Sequence, residues 1–325
     1  MGEGLSTPGF GGGFIVVTTM KNEGAFLIEW AAHYLALGFD RLVICTNDCA
    51  DPTAAMAARL EQLGLARHHA TRIWPAAGIQ RSALKQVRRY EEVAGAAWIF
   101  VCDADEFLVI RDGDGSVRAL AEGAGDHEVV TVAWRTFGPD RRIRFEDRPV
   151  TQQFTRAEAP PGAVTYGKSL FRGLERVHRI GIHGPVPRAD LGRDLRRWFP
   201  GGVPYARADH PTRIRPDWSR AQVNHYALRS LDSFFVKRDR GRVNHAREDM
   251  GVSYWRRFDL AEVDCTAIRR YDATVAGWTA RLRADPELDQ LHRAAVDWHR
   301  ARAAALAAQP AYRTLRAVLE AEGRI

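Results

Sequence analysis

The 325-residue sequence has no apolar run of about 18 residues, the length that a membrane-spanning helix needs. Its first residues, MGEGLSTPGFGGGF, lack the basic start and the apolar middle of a signal peptide. Because this stretch is rich in glycine, we interpret residues 1–13 as a flexible leader. These absences favour a cytoplasmic protein.

Cysteine is also scarce. The chain has four, and their spacing fits neither a disulfide framework nor a metal site: Cys45, Cys49, Cys102 and Cys265. We therefore expect reduced thiols, as in a cytoplasmic protein.

Lysine is rare, because almost all of the 47 basic residues are arginine. Residues 1–160 carry 17 basic against 21 acidic residues, whereas residues 161–325 carry 30 against 19. A basic half can meet phosphate groups, an anionic membrane surface or nucleic acid, although a solvated basic surface explains it equally well. A peripheral position on the inner face of a membrane is compatible with this distribution.

The front of the chain alternates between strand and helix patterns. Strands are predicted at 14–19, 41–45, 67–73 and 97–102, and helices at 22–37, 54–63 and 80–93. This alternation predicts an α/β fold with a mostly parallel sheet flanked by helices, and ligands at the carboxyl ends of the strands. Later residues predict strands at 129–134 and 148–155, loops to about residue 217, and helices at 231–240, 275–283 and 286–319.

The stretch AAWIFVCDADEFLVI (96–110) brings three carboxylates together directly after a predicted buried strand: Asp103, Asp105 and Glu106. Their mutual repulsion and the cost of burying charge require compensation. A divalent cation supplies it, and Mg²⁺ or Mn²⁺ prefers carboxylate and phosphate oxygens. The alternative is a turn whose aspartates cap backbone amides, and Glu106 can play such a capping role as well.

The Asp-x-Asp-Glu-Phe run resembles the motif of nucleotide-sugar glycosyltransferases of the GT-A fold, family 2-like and close to family 92. Other segments resemble the same group in the same order: VTTMKNEG (17–24), TNDCADPT (46–53), WRTFG (134–138) and NHYALRS (224–230). The resemblance spans about residues 14–245. In this chain Thr46 stands where the family has an acid that contacts uracil, and Cys49 where it has serine.

The resemblance implies a GT-A domain over 14–230, with a nucleotide-binding half (14–115) and an acceptor half (116–230). The helical patterns predict a helical C-terminal extension over 231–325. The resemblance also implies metal binding by Asp103 and Asp105, with a third ligand from a distant histidine, for which we favour His183 over His225. It places these residues at the nucleotide and its phosphates: Thr18, Asn22, Glu23, Thr46, Asn47, Asp48, Gln80, Lys85, Asp103, Lys168, His225 and Lys237. Asn22 and Glu23 also suit a helix start, and Asp51 a helix cap.

The implied activity is a metal-dependent, inverting transfer of a hexosyl group from a nucleoside-diphosphate sugar, with UDP favoured, to a surface polysaccharide, lipopolysaccharide or lipid-linked acceptor. Four carboxylates are candidates for the base that this transfer needs: Asp140, Glu146, Asp147 and Asp209. Two alternatives stay open. One is a nucleic-acid-binding protein with a basic aromatic surface, which leaves Asp103 and Asp105 unexplained; we expect no nucleic-acid partner. The other is a non-catalytic glycan- or membrane-docking protein on a transferase fold.

Overall fold

The computed structural model describes residues 12–160, 162–204, 212–241 and 250–325. The strands lie mostly in the first two thirds of the chain: β1 Phe14–Met20, β2 Arg41–Thr46, β3 Ala66–Ala70, β4 Trp98–Val101, β5 Glu106–Ile110, β6 Val129–Thr136, β7 Arg156–Ala157, β8 Thr165–Arg172, β9 Val177–Ile180, β10 Pro185–Pro187, β11 Arg197–Trp198, β12 Gly202–Pro204, β13 Arg213–Pro216, β14 Ala221–His225 and β15 Val263–Asp264.

The helices dominate the last third: α1 Gly24–Ala36, α2 Thr53–Gln62, α3 Ile79–Val87, α4 Glu91–Ala94, α5 Val117–Gly123, α6 Val150–Gln153, α7 Leu231–Arg240, α8 Val252–Phe258, α9 Asp272–Arg283, α10 Pro286–Ala307 and α11 Pro310–Ala321. Two 3₁₀ helices cover Ala189–Leu191 and Ala267–Tyr271. None of the helices in these described ranges has both the length and the apolar character needed to cross a bilayer.

The main sheet has the strand order β3-β2-β1-β4-β8-β6-β14-β5. Its first four strands are parallel, with Val16 of β1 beside Leu42 of β2 and Phe100 of β4. Beyond β4, β8 runs antiparallel between β4 and β6, and β14 pairs in parallel with β6 and antiparallel with β5. The order reverses at β1 and β4, where a crevice for ligands opens in such sheets.

Helices cover both faces of the sheet because the side chains of its strands alternate. On β1, Val16 belongs to the apolar core that contains Trp30 of α1, whereas Val17 belongs to the opposite core, which contains Leu84 of α3. The α/β class with a helix-flanked sheet and a helical C-terminal part is therefore confirmed.

The C-terminal helices pack onto the α/β core. Helix α10 lies against α1, α2 and α7, and a third apolar cluster joins α7, α8, α10 and α11 around Phe235, Trp255 and Leu306. Asp285 at the start of α10 accepts a hydrogen bond from the Arg59 guanidinium of α2. The helical part thus supports α7, whose last turn reaches the site described below.

Four sequence expectations are wrong. The helix predicted at 80–93 is two helices, since α3 ends at Val87 and α4 begins at Glu91. Residues 148–155, predicted as a strand, contain helix α6, whose first amides, Val150 N and Thr151 N, donate to the Glu29 carboxylate of α1. The helix predicted at 286–319 is two helices, because Pro310 cannot continue α10 and begins α11. Within the expected loops up to residue 217 lie strands β8 to β13.

Candidate active site

The carboxylate turn lies where β4 ends and β5 begins. Within it, the Asp103 amide donates to Glu106 Oε2 at 2.9 Å, and the Glu106 amide donates to the Asp103 carbonyl at 3.2 Å. The Glu106 side chain is fully buried. Glu106 therefore has the capping role that was one of its two sequence interpretations, and the turn holds Asp103 and Asp105 at the carboxyl end of β4.

Asp103 is held by two side chains from different elements. Lys168 of β8 donates from Nζ to Asp103 Oδ2 at 3.1 Å, and Gln80 of α3 donates from Nε2 to Oδ1 at 2.5 Å. Burial acts to raise the pKa of the Asp103 carboxyl, but the nearby Lys168 ammonium outweighs it, and the pKa is lowered. Asp103 is therefore an ionised, hydrogen-bonded carboxylate.

Asp105 is held from the opposite side of the turn by helix α7. Lys237 donates from Nζ to Asp105 Oδ2 at 2.6 Å and to the Ala227 carbonyl at 2.7 Å. The Asp105 carbonyl accepts from the Tyr226 amide at 2.9 Å, just after β14. Burial would raise the pKa of this carboxyl, but Lys237 and the other cations around it lower it well below its usual range.

Lys168 and Glu106 form the buried floor of the site. Lys168 is fully buried, lies 3.4 Å from Glu106 Oε2 and donates to the Ile182 carbonyl. Burial acts to lower the pKa of its ammonium, but Asp103 and Glu106 outweigh that and raise it. For Glu106, burial is the larger effect, so the pKa of its carboxyl lies well above the usual range despite the lysine.

Three buried side chains can hold a metal ion: Asp105, Glu106 and His225 offer ligand atoms that all lie within 4.8 Å of one another. His225, at the end of β14, packs its ring on Trp134 at 4.5 Å between centroids. Burial lowers the pKa of His225 to about 4, so its imidazole is neutral and can ligate. Glu106 Oε1 and His225 Nδ1 are buried and have no hydrogen-bond partner. This donor set, carboxylates with one imidazole, fits a divalent cation such as Mn²⁺.

Two arginines, Arg229 and Arg240, add to the charged cluster that Asp103, Asp105, Glu106, Lys168 and Lys237 form. Arg229, which adopts a positive φ of 57°, donates to Glu23 Oε2 at 2.9 Å and lies 3.7 Å from the centre of the Phe26 ring. Arg240 of α7 pairs with the other oxygen of Glu23. These two cations outweigh burial and lower the pKa of Glu23. Sequence reasoning missed both arginines, although Arg229 lies within the quoted segment NHYALRS.

The remaining expected nucleotide-binding residues lie along the ends of β1 and β2 and on α3. Asn22 Oδ1 accepts from the Ala50 amide at 2.7 Å, and Thr46 Oγ1 lies 2.8 Å from His68 Nε2. The other contacts are local. Asn47 donates to Asp48, Asp51 Oδ1 accepts from the Thr53 amide, and Lys85 lies over the Trp74 ring. The buried Thr18 Oγ1 has no hydrogen-bond partner among the described residues.

His183 lies beside the cluster but outside the metal-donor group. Its ring packs against Trp134 and Tyr166, at 5.2 Å and 5.1 Å between centroids, and its Nδ1 is 3.2 Å from the Gly167 carbonyl. It is close enough to Asp103 to lower the pKa of that carboxyl. Of the two expected histidines, the structure brings His225 into the donor group with Asp105.

Among the described residues, the carboxylates expected as catalytic bases lie between β6 and α6, outside the carboxylate turn. Asp147 Oδ1 is 3.2 Å from His292 Nε2 of α10, and the exposed Glu146 contacts Arg148 of its own loop. Asp140 is exposed and adopts a φ of 48°. Asp209 lies outside the described residues.

No protein-family model matches the sequence, and no curated protein matches it significantly. Among solved structures, the chain is similar to S. aureus TarS 1-349, with 11% identity over 96% of this chain and 92% of that chain, at a TM-score of 0.35. It is also similar to HddC from Yersinia pseudotuberculosis, with 10% identity over 57% of this chain and 89% of that chain, at a TM-score of 0.33. Since these TM-scores are low, the function proposed for this chain rests on its side-chain geometry.

Proposed function

We propose that this protein is a metal-dependent glycosyltransferase that binds a nucleoside-diphosphate sugar at the carboxyl ends of β1 and β4. The observation that carries the proposal is the turn after β4, where Asp103 and Asp105 are each paired with a lysine, and where Asp105, Glu106 and His225 form a metal-donor group. The donor is a UDP-sugar, the transferred group is a hexosyl, and the acceptor is a glycan or glycolipid of surface polysaccharide synthesis.

The arrangement suits a diphosphate because it offers both negative and positive partners. Asp105, Glu106 and His225 would hold the cation, which when bound supplies positive charge that stabilises the departing diphosphate. Lys168 holds Asp103 from the buried side of the site, and Lys237 can donate to a phosphate oxygen on release from Asp105. Such charge stabilisation, fixed before the reaction, is the main effect that a transferase site needs.

The nucleoside would lie along the ends of β1 and β2, near Thr18, Asn22, Glu23, Thr46, Asn47 and Asp48, with Gln80 holding Asp103 and Lys85 nearby on α3. Residues 14–115 would form the nucleotide half and 116–230 the acceptor half. Inversion at the anomeric carbon requires a base for the acceptor hydroxyl. Our candidates from the sequence stay Asp140, Glu146, Asp147 and Asp209. The protein would act on the cytoplasmic side of a membrane.

A screen for UDP release from a panel of UDP-sugars, with Mn²⁺ or Mg²⁺ present, tests the activity. Asp105→Asn should lower the rate on the order of 100-fold, because it removes a charged ligand oxygen while keeping the shape of the side chain. Asp239→Asn is the matched control: Asp239 also lies on α7 beside the site but pairs with Arg302. Equal rates in Asp105→Asn and the wild type would contradict the proposal.

A further inference from the structure

Lys237 is held at the mouth of the site by two oxygens. Its ammonium donates to Asp105 Oδ2 at 2.6 Å and to the Ala227 carbonyl at 2.7 Å, and it lies 5.8 Å from the centre of the Tyr254 ring. The side chain is 20% exposed, whereas that of Lys168 is fully buried. Lys237 can therefore move without opening the core, and Lys168 cannot.

The bond from Lys237 uses the Asp105 oxygen that also lies near His225. Asp105 Oδ2 also lies 3.9 Å from His225 Nε2, so this oxygen faces the donor group. A divalent cation bound between Asp105 and His225 would lie close to the Lys237 ammonium. Two cations at this separation in a buried site repel each other strongly. Metal and ammonium thus compete for Asp105.

The carboxylates of the described cluster already have cationic partners. They are Glu23, Asp103, Asp105 and Glu106, and the cations that face them are Lys168, Arg229, Lys237 and Arg240. A divalent cation alone would therefore leave the cluster with a surplus of positive charge. A diphosphate brings negative charge of similar size, which removes that surplus and offers a new partner to the ammonium.

We infer that Lys237 is a built-in counterion that keeps a divalent cation off Asp105 until a diphosphate enters, so that metal and nucleotide bind as a pair. This inference rests on the proposed function. On diphosphate entry, the Lys237 ammonium leaves Asp105 for a phosphate oxygen, and the freed carboxylate oxygen becomes a ligand. No covalent bond is made or broken in this exchange.

Titration of Mn²⁺ followed by electron paramagnetic resonance, without nucleotide, tests the competition directly. The wild type should bind Mn²⁺ weakly, and Lys237→Met should bind it about tenfold more tightly or better, because a unit charge next to the ion is gone. Lys237→Gln serves as a second variant that keeps a hydrogen bond to Asp105. Lys237→Arg keeps the charge and should behave like the wild type.

Arg238→Met is the matched control, since it removes one charge from the same helix at a residue whose guanidinium lies over the Tyr312 ring. It should leave Mn²⁺ binding unchanged. Equal Mn²⁺ affinity of the wild type, Lys237→Met and Lys237→Gln would overturn the inference. If the wild type still binds UDP more tightly with Mn²⁺, the proposed function survives that result. If UDP binds under neither condition, the proposed function fails, while the nucleotide-free comparison still decides the role of Lys237.

Discussion

At the scale of single residues, each of the two aspartates has a lysine partner, which offsets the repulsion between their carboxylates. Lys168 comes from β8 and Lys237 from α7, 65 and 132 positions away from their partners along the chain. A lysine ammonium is a compact point charge on a flexible stem, so it can exchange a carboxylate for a phosphate more easily than a forked arginine pair can. This property would suit the diphosphate binding that we propose for the site.

His225 should matter more for metal binding than His183. Its Nε2 lies 3.9 Å from Asp105 Oδ2, whereas His183 packs on Trp134 and Tyr166. With UDP present, His225→Ala should weaken Mn²⁺ binding about tenfold or more, as the loss of a metal ligand or its support does. Mn²⁺ titration of both alanine variants measures this. A larger loss in His183→Ala would instead support the sequence-based preference for His183 over His225.

The sequence indicates part of this residue-level arrangement. Three carboxylates after a buried strand, and lysines that are rare in an arginine-rich chain, single out Asp103, Asp105, Lys168 and Lys237. Which lysine pairs with which aspartate could not be predicted, because both contacts depend on how distant elements fold together. Arg229 and Arg240 were missed because arginine is too common in this chain for a single one to stand out.

At the scale of elements, helix α1 is tied to the sheet by a buried histidine. His33 donates from Nε2 to the Leu108 carbonyl of β5 at 2.9 Å, and its ring packs on Phe107 and Tyr271. Burial lowers the pKa of His33 from 6.5 to about 4. The folded state therefore favours the neutral imidazole, while the unfolded chain takes up a proton below pH 6.5.

This linkage predicts a pH effect that belongs to His33. Its contribution to stability is complete above pH 6.5 and is lost as the pH falls towards about 4, at up to about 1.4 kcal/mol per pH unit. His33→Gln keeps an N–H donor but takes up no proton. Urea unfolding at a series of pH values should show the free energy of unfolding falling more steeply for the wild type than for the variant across this window. Parallel curves for the two proteins would rule the effect out.

The elements that the sequence predicts well are those with a strong local pattern. Strands β1 and β2 are continuous apolar runs, and α1 and α2 repeat apolar residues at helical spacing. Strands β8 and β14 were missed because they bury polar residues: Lys168 and Ser169 in one, Gln222 and Asn224 in the other. Gln222 donates a hydrogen bond to Asn224, and this bond, which forms in the folded sheet, offsets the cost of burying the two polar side chains.

At the scale of the whole molecule, the formal net charge of +7 is concentrated in the second half of the chain. We expect the protein to sediment with anionic liposomes at low salt and to be released at high salt, because salt screens attraction beyond roughly 10 Å. Neutral liposomes are the control. Equal sedimentation with neutral and anionic liposomes would contradict an electrostatic contact with a membrane surface.

The C-terminal helices carry part of the basic charge, and they also support the site. Through the cluster around Phe235 and Leu306 they position α7, and α7 presents Lys237 to Asp105. The contacts of the carboxylate turn therefore depend on residues that are far apart along the chain.

The most direct test of a metal–diphosphate site at Asp105 is calorimetric titration of UDP, with and without Mn²⁺, into the wild type and Asp105→Asn. The wild type should bind UDP about tenfold more tightly or better when Mn²⁺ is present, and Asp105→Asn should lose that gain while still melting cooperatively. Equal UDP affinity with and without Mn²⁺ in the wild type, or an undiminished gain in Asp105→Asn, would contradict the site.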